Sequence, residues 1–457
     1  MIHYYKLLGK NIVLDVYSGA VHVLDDVAYD VVAYFAQNFK REDSCPQSLI
    51  DALSDKYSEE QIRDAYGEIC ELYDNELLYT NDIYEEYAKR LDKRSVVKAM
   101  CLHIAHDCNL RCKYCFADTG SFHHNRSMMS AEVGKKAIDF VIENSGSRKN
   151  IEIDYFGGEP LMNFEVVKEI TEYAKEQGEI HGKNFRFTIT TNGLLLTEDK
   201  KKYINENMSN IVLSIDGTKE VNDKVRVRVD GSGSYDAIVP KFKDIAESRN
   251  QDNYYVRGTF TAYNLDFAKD VLHLADLGFE QTSVEPVVAP YEEEYALREE
   301  HLPIIYEEYE KLAKEYVKRR KDGRGFNFFH FMIDLTQGPC VIKRLSGCGS
   351  GHEYVAVTPD GDIYPCHQFV GNEKFKMGSV FDGSFDEDIK NMFMRSNVYT
   401  KDACSECFAK FYCSGGCPAN AYNFNKDISK PYKLACDMER KRVECALAIA
   451  ACLSEEE

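Results

Sequence analysis

Apolar and polar positions change period along this chain. Between residues 96 and 290, short strand-like runs alternate with stretches of helical period. AMCLHIAH, NIEIDYFG, FRFTITTNG, NIVLSIDG, YYVRGTFTA and TSVEPVV read as strands, and 130–144, 163–177 and 265–277 as helices between them. Ser130 is placed as an N-cap, with Val133 at N3. Six such repeats predict an α/β domain with a parallel sheet, either doubly wound or closed part-way into a barrel. In both, function collects at the C-terminal ends of the strands.

Before this region, NIVLDVYSG and AVHVLDD alternate as a hairpin around Ser18 and Gly19. Three helical stretches follow: 26–39, SLIDALSDKY and SEEQIRDAYGEICELYDNELL. Ser58, with Glu60 and Gln61 after it, marks the start of the third. A hairpin plus three helices predicts a small, separate, winged-helix-like module over 1–95. Residues 291–320 are rich in Glu, Lys, Tyr and Leu, which predicts a solvent-facing helix in a bridging segment, 291–335. From 336 to 457 Gly and Cys abound and long periodic segments are lacking. That predicts a loop-rich domain stapled by metal. There is no internal repeat.

The 457 residues are 44% hydrophobic and 29% charged, a globular balance. A net charge of −20 argues against a general attraction to nucleic acid or to anionic membrane. The longest apolar run, Cys445 to Leu453, is far short of a membrane span of ~20 residues, and the N-terminus lacks a signal-peptide pattern. A cytoplasmic protein is expected. Sixteen cysteines in that compartment point to metal or redox chemistry rather than disulfides.

Cys108, Cys112 and Cys115, spaced Cys-x3-Cys-x2-Cys, follow directly on the first strand. Three thiolates on one loop suit a [4Fe–4S] cluster whose fourth iron stays open. Zinc prefers Cys-x2-Cys pairs that add up to four donors. Further along, Gly157-Gly158-Glu159-Pro160 follows the second strand, Thr191-Asn192-Gly193 ends the third and Ser214-Ile215-Asp216-Gly217 the fourth. With these motifs in these places, the region resembles the radical S-adenosylmethionine (SAM) superfamily. The resemblance implies a partial (β/α)6 TIM-like barrel. It also implies SAM chelating the open iron and reductive cleavage to a 5′-deoxyadenosyl radical. Cys108, Cys112 and Cys115 would hold the catalytic cluster, with Tyr114 of the same motif toward SAM. Gly157, Gly158, Glu159 and Pro160 are assigned to the SAM amino group, the glycines admitting close backbone approach. Thr191 and Asn192 join the cofactor set. Ser214 and Asp216 share a strand face and suit ribose hydroxyls or the SAM carboxylate, with strand-end capping as the alternative. Arg226 and Arg228 also share a face, and Arg226 is taken toward the SAM carboxylate against a surface position. Glu285 ends the sixth strand, toward substrate or adenosine.

Downstream come Cys348, Gly361-Asp362-Ile363-Tyr364-Pro365-Cys366, then Cys404-x2-Cys407-x5-Cys413-x3-Cys417, and Cys436. This resembles the SPASM extension of radical SAM enzymes; a zinc ribbon over 404–417 is the alternative. The resemblance implies two auxiliary [4Fe–4S] clusters. Cys404, Cys407, Cys413 and Cys436 would hold the outer one, and Cys348, Cys366 and Cys417 the inner one. Cys340 or a substrate thiolate would complete the inner cluster. Cofactors are therefore three [4Fe–4S] clusters and SAM. Residues 1–95 resemble the RiPP recognition element, which adds a leader peptide as a strand to its sheet edge. With NDKVRVRVDGSGSYD, the whole chain resembles sactipeptide-type maturases of SCIFF peptides, named for six cysteines in forty-five residues. That implies a thioether between a Cys sulfur and an α-carbon of a Cys-rich precursor peptide, with flavodoxin or ferredoxin as electron donor. A formylglycine-forming anaerobic sulfatase-maturing enzyme is the alternative. A cluster-bearing electron carrier is a third reading, opposed by the open triad and Gly157–Pro160. No acid–base dyad is visible in the sequence, and nothing in it names the base that takes the cysteine proton.

Overall fold

The computed structural model describes residues 1–90, 95–123, 125–333, 335 and 345–454, so Cys340 lies outside the described residues. Ile2–Leu7 (β1), Lys10–Asp15 (β2) and Val21–Leu24 (β3) form an antiparallel sheet in the order β1-β2-β3. The predicted hairpin is β2–β3, and β1 is a strand the pattern did not announce. Asp26–Phe35 (α1), Gln47–Leu53 (α2) and Glu59–Asp74 (α3) bury Val31, Val32, Leu49, Ile62 and Ile69 in a local core with Ile2 and Val13. Ser58 and Gln61 close a capping box on α3. Leu14 and Val16 pack elsewhere, on Val398, Phe411, Val443 and Leu447. His3 stacks on Phe408 with ring centroids 3.5 Å apart. The N-terminal unit is thus docked on the Cys-rich region, where the sequence suggested a separate module.

Tyr84–Arg90 (α4) leads toward the barrel. Its six parallel strands are Ala99–Ala105 (β4), Asn150–Gly157 (β6), Asn184–Thr191 (β7), Asn210–Ser214 (β8), Tyr254–Phe260 (β10) and Gln281–Pro286 (β11), adjacent in that order. Two short antiparallel strands, Leu110–Cys112 (β5) and Arg226–Arg228 (β9), pair above them. The helices between strands are Ala131–Asn144 (α5), Phe164–His181 (α6), Glu198–Asn207 (α7), Lys219–Val225 (α8), Tyr235–Ser248 (α9) and Phe267–Asp276 (α10). Ser130 caps α5, accepting from the Val133 N–H. On β6, Ile151, Ile153 and Tyr155 join the core beneath the helices. The alternate residues Glu152, Asp154 and Phe156 face the lumen. All six predicted strands are present.

Leu302–Lys321 (α11) starts eleven residues later than the pattern suggested. It is not solvent-facing all round, because Ile305, Tyr309, Leu312, Ala313 and Tyr316 form a buried stripe. Asn327–Phe328 (β12) adds to the β11 edge. At the opposite edge, Tyr354–Val357 (β13) pairs parallel with β4, and Asp362–Tyr364 (β14) follows antiparallel. One sheet therefore runs from the barrel into the Cys-rich region. Lys433–Leu453, a 21-residue C-terminal helix, buries Leu434, Met438, Val443 and Leu447. The loop-rich expectation is corrected by this sheet and this helix. The helix was obscured because its apolar face is made largely of Ala and Cys. Among the described residues no helix is long and apolar enough to cross a membrane.

Candidate functional site

The first cysteine loop leaves β4 through Asp107 and is gripped from the end of β6. Gly158 N–H donates to Ala105 O at 2.7 Å, and Glu159 N–H to Asp107 O at 2.9 Å. A Cβ on Gly157 would lie 2.3 Å from Ala105 O, and one on Gly158 2.0 Å from Asp107 O. The glycines therefore admit the cysteine loop's own backbone. Glu159 is fully buried. Its Oε1 accepts from Leu161 N–H at 3.0 Å and from the Thr191 hydroxyl at 2.8 Å, and its Oε2 from Asn192 N–H at 2.8 Å. Burial pushes its carboxyl up, with these bonds opposing. The side chain that the sequence directed to an amino group clamps β6 to β7, with Pro160 opening the following turn, Pro160–Asn163.

The β5–β9 pairing sets Cys112 opposite Arg226. Arg226 Nε lies 3.0 Å from Asp216 Oδ1. Tyr114 donates its hydroxyl to both Asp216 oxygens, at 2.9 and 2.7 Å, and Thr259 N–H adds a bond of 3.0 Å. Asp216 is thus held by Arg226, Tyr114 and Thr259, mostly through Oδ1, while Arg226 Nη1 reaches to 4.0 Å from Cys112 Sγ. Asn192 Nδ2 donates to Asn109 Oδ1 at 2.8 Å and stands 3.6 Å from Cys108 Sγ. Ser214 ends β8 opposite Arg257 of β10. Burial pushes the Cys108 and Cys112 thiols up to about 12.

The C-terminal thiols fall into two sets, judged by which of them perturb one another. Cys366, Cys417 and Cys348 form one. Cys404, Cys407, Cys413 and Cys436 form the other. Among the described residues, no three Cys, His, Asp or Glu side chains converge as ligands of one metal ion would. A zinc ribbon needs four donors about one point. In a [4Fe–4S] cluster each cysteine binds a separate iron, and spread thiols fit that demand. Sequence reasoning missed two buried lysines among these cysteines. Lys401 donates from Nζ to Gly415 O at 2.7 Å beside the second set. Lys410 lies 3.6 Å from Asp82 Oδ2, tying the array to the N-terminal region. The available signal was two lysines flanking the thiols of KDACSECFAKFYC in an acidic chain.

Glu285 faces the lumen at the end of β11 within reach of two guanidinium groups and one imidazole. His330 Nε2 lies at 3.4 Å, and Arg442 and Arg257 at 3.7 Å. Burial works to raise its pKa, but these neighbours outweigh it and hold the carboxyl low. The two cysteine regions also meet through rings. Phe116, next to Cys115, lies 5.5 Å from the ring of His367, next to Cys366, and Phe156 lies 5.1 Å from the same imidazole.

A model of the Radical SAM superfamily matches residues 102–287, and one of the SPASM iron-sulfur cluster-binding domain matches 348–408. A cysteine-type anaerobic sulfatase-maturating enzyme of Clostridium novyi is 27% identical over 333 residues, covering 69% of this chain and 86% of its own. The fold is shared with native anSMEcpe with bound AdoMet and Cp18Cys peptide, at TM-score 0.63 and 18% identity, over 79% of this chain and 100% of that one. It is also shared with Streptococcus suis SuiB bound to precursor peptide SuiA, at TM-score 0.50 and 17% identity, over 94% and 97%. The chain therefore carries a radical SAM domain in its barrel and a SPASM domain after it, and this pair takes SAM and several [4Fe–4S] clusters as cofactors.

Proposed function

We propose that this chain is a peptide maturase that joins a Cys sulfur to an α-carbon in a ribosomally made, Cys-rich precursor. The observation that carries the reading is the outer edge of β3 in the N-terminal sheet. On β1, the Gln37 side chain accepts from Ile2 N–H at 2.9 Å and donates to Ile2 O at 2.6 Å, while His3 and Tyr5 lay one face of the sheet on Glu444. The outer side of β3 has no strand beside it among the described residues, and Val23 there is exposed. A leader peptide added along β3 would satisfy that edge and bring the precursor to the barrel.

Cys108, Cys112 and Cys115 would hold the cluster that receives SAM, which together supply hydrogen abstraction when bound. Asn192 and Arg226 would settle charge on its thiolates, while Gly157 and Gly158 fix the loop. Cys404, Cys407, Cys413 and Cys436 would hold one auxiliary cluster and Cys348, Cys366 and Cys417 the other, with reduced flavodoxin or ferredoxin as donor. For the remaining position of the latter we favour a substrate thiolate over Cys340. Cys340→Ala should then keep the full iron content, whereas loss of about four irons would assign Cys340 as a ligand.

Formylglycine formation is the second reading, favoured by the similarity to the Clostridium novyi enzyme. Mass spectrometry of a Cys-rich peptide treated with the reconstituted full-length protein separates the two. A thioether keeps the sulfur and removes two hydrogens per bridge, whereas formylglycine made from cysteine loses the sulfur.

A further inference from the structure

The carboxylates of the barrel strands and their C-terminal ends differ in one respect. Glu159, Asp216 and Glu285 are each held by several donors or cations. Asp154 has no hydrogen bond or ion pair among the described residues. It lies on β6 between Ile153 and Tyr155, whose side chains pack outward, so its own points into the lumen. The register sets it beside Cys101 of β4 and Thr188 of β7. Its electrostatic neighbours are Glu152 on its own strand, the Cys101 thiol, and Tyr354 on β13. None is a cation. Burial, seconded by Glu152, lifts its carboxyl to about 7.

The place matters as much as the group. Two residues along β6, Phe156 packs on His367, the residue after Cys366, and lies 6.5 Å from Phe116, the residue after Cys115. Cys101 and Tyr354 both feel the charge of Cys366 as well as that of Asp154. Asp154 is therefore on the stretch of lumen wall that both cysteine loops abut. An unbonded carboxylate there has no architectural task, and a proton acceptor needs this freedom.

We propose that Asp154 accepts the proton of the substrate cysteine's S–H as its sulfur bonds to carbon. This rests on the thioether reading above. For each bridge one C–H and one S–H bond break and one C–S bond forms. The hydrogen atom from carbon goes to the radical derived from SAM, the sulfur proton to Asp154, and one electron to an iron–sulfur cluster of the SPASM domain.

The test uses reconstituted full-length protein and a synthetic Cys-rich peptide deuterated at its α-carbons. Asp154→Asn should transfer deuterium into 5′-deoxyadenosine within twofold of wild type, while cross-linking falls about a hundredfold or more. Wild-type cross-linking should rise with pH through about 7, and Asp154→Glu should restore part of the rate with a shifted profile. Cross-linking by Asp154→Asn at the wild-type rate would overturn the proposal. Infrared spectra supply a readout that needs no turnover. A protonated-carboxyl band absent from Asp154→Asn should titrate near neutrality, and a carboxyl ionised throughout from pH 5 upward overturns the assignment. If wild type transfers deuterium yet makes no sulfur-retaining bridge, the thioether reading falls by itself, and the infrared titration still decides whether Asp154 can accept a proton.

Discussion

The two cysteine regions are framed in opposite ways. Around Cys108 the protein supplies the frame. Backbone bonds from Gly158 and Glu159 hold the loop, Asn192 reaches the thiol, and the buried Tyr114–Asp216–Arg226 group stands behind Cys112. Along 404–417 the chain makes only single turns of helix, Asp402–Ser405 and Lys410–Cys413, while Cys348 and Cys417 lie exposed. Single turns do not persist unaided. The first loop should therefore keep its shape without metal, and the C-terminal array should take much of its shape from metal.

The sharpest way to break this comparison is to empty each region in turn. Replacing Cys108, Cys112 and Cys115 together by Ala should abolish 5′-deoxyadenosine and remove ~4 of ~12 irons, yet leave the thermal midpoint nearly unchanged. Replacing Cys404, Cys407, Cys413 and Cys436 should lower the midpoint by many degrees. Equal losses of stability in calorimetry would mean that both loops depend on metal alike. Next in size comes Asp216→Ala. It strands the Arg226 guanidinium, which is 11% exposed, with no counter-charge, and should cost about 3–5 kcal/mol in denaturant unfolding. Gly158→Ala should cost about 1–3 kcal/mol, because its new Cβ runs into the Asp107 carbonyl and lies 3.1 Å from Gly120 Cα, so the loop backbone must shift. It should still displace Cys108 and lower SAM cleavage. A fully active Gly158→Ala would show that the frame around the loop is slack.

The same contrast explains what could be read beforehand. The strands of the barrel declared themselves because Ile151, Ile153 and Tyr155 alternate with Glu152, Asp154 and Phe156, and a period of two survives in any context. The cysteine motifs declared themselves through spacing. What stayed hidden were contacts between residues far apart in sequence. Tyr114 and Asp216 were both singled out, but no local pattern says that residues 102 positions apart bond to each other. Glu159 bonds to Thr191 and Asn192 at the end of the next strand, partners that no local pattern names. β1 was missed because MIHYYKLL carries its polar and aromatic residues without clear alternation. The Lys433–Leu453 helix was missed because Ala and Cys form much of its buried side.

The smallest effect tests the seam between the regions. His330 sits there, with Nε2 3.4 Å from Glu285 of the barrel and Nδ1 2.9 Å from Arg442 of the helix that carries Cys436. Burial pushes its imidazole down to about 4, with Glu285 opposing and Arg442 and Arg257 assisting. An unfolded histidine titrates near ~6.5. Between these values the unfolded chain binds the extra proton, so stability is full above about 6.5 and falls as the pH drops toward about 4. The slope should not exceed ~1.4 kcal/mol per pH unit for this one group. His330→Asn should flatten that part of the profile in denaturant titrations run at successive pH values, while the Cys108 loop, framed by β4 and β6 on the opposite side of the six-strand order from β11, stays intact. A wild-type profile that is flat from pH 6.5 to 5, or one equally steep in His330→Asn, would show that barrel and C-terminal helix are not joined through this imidazole.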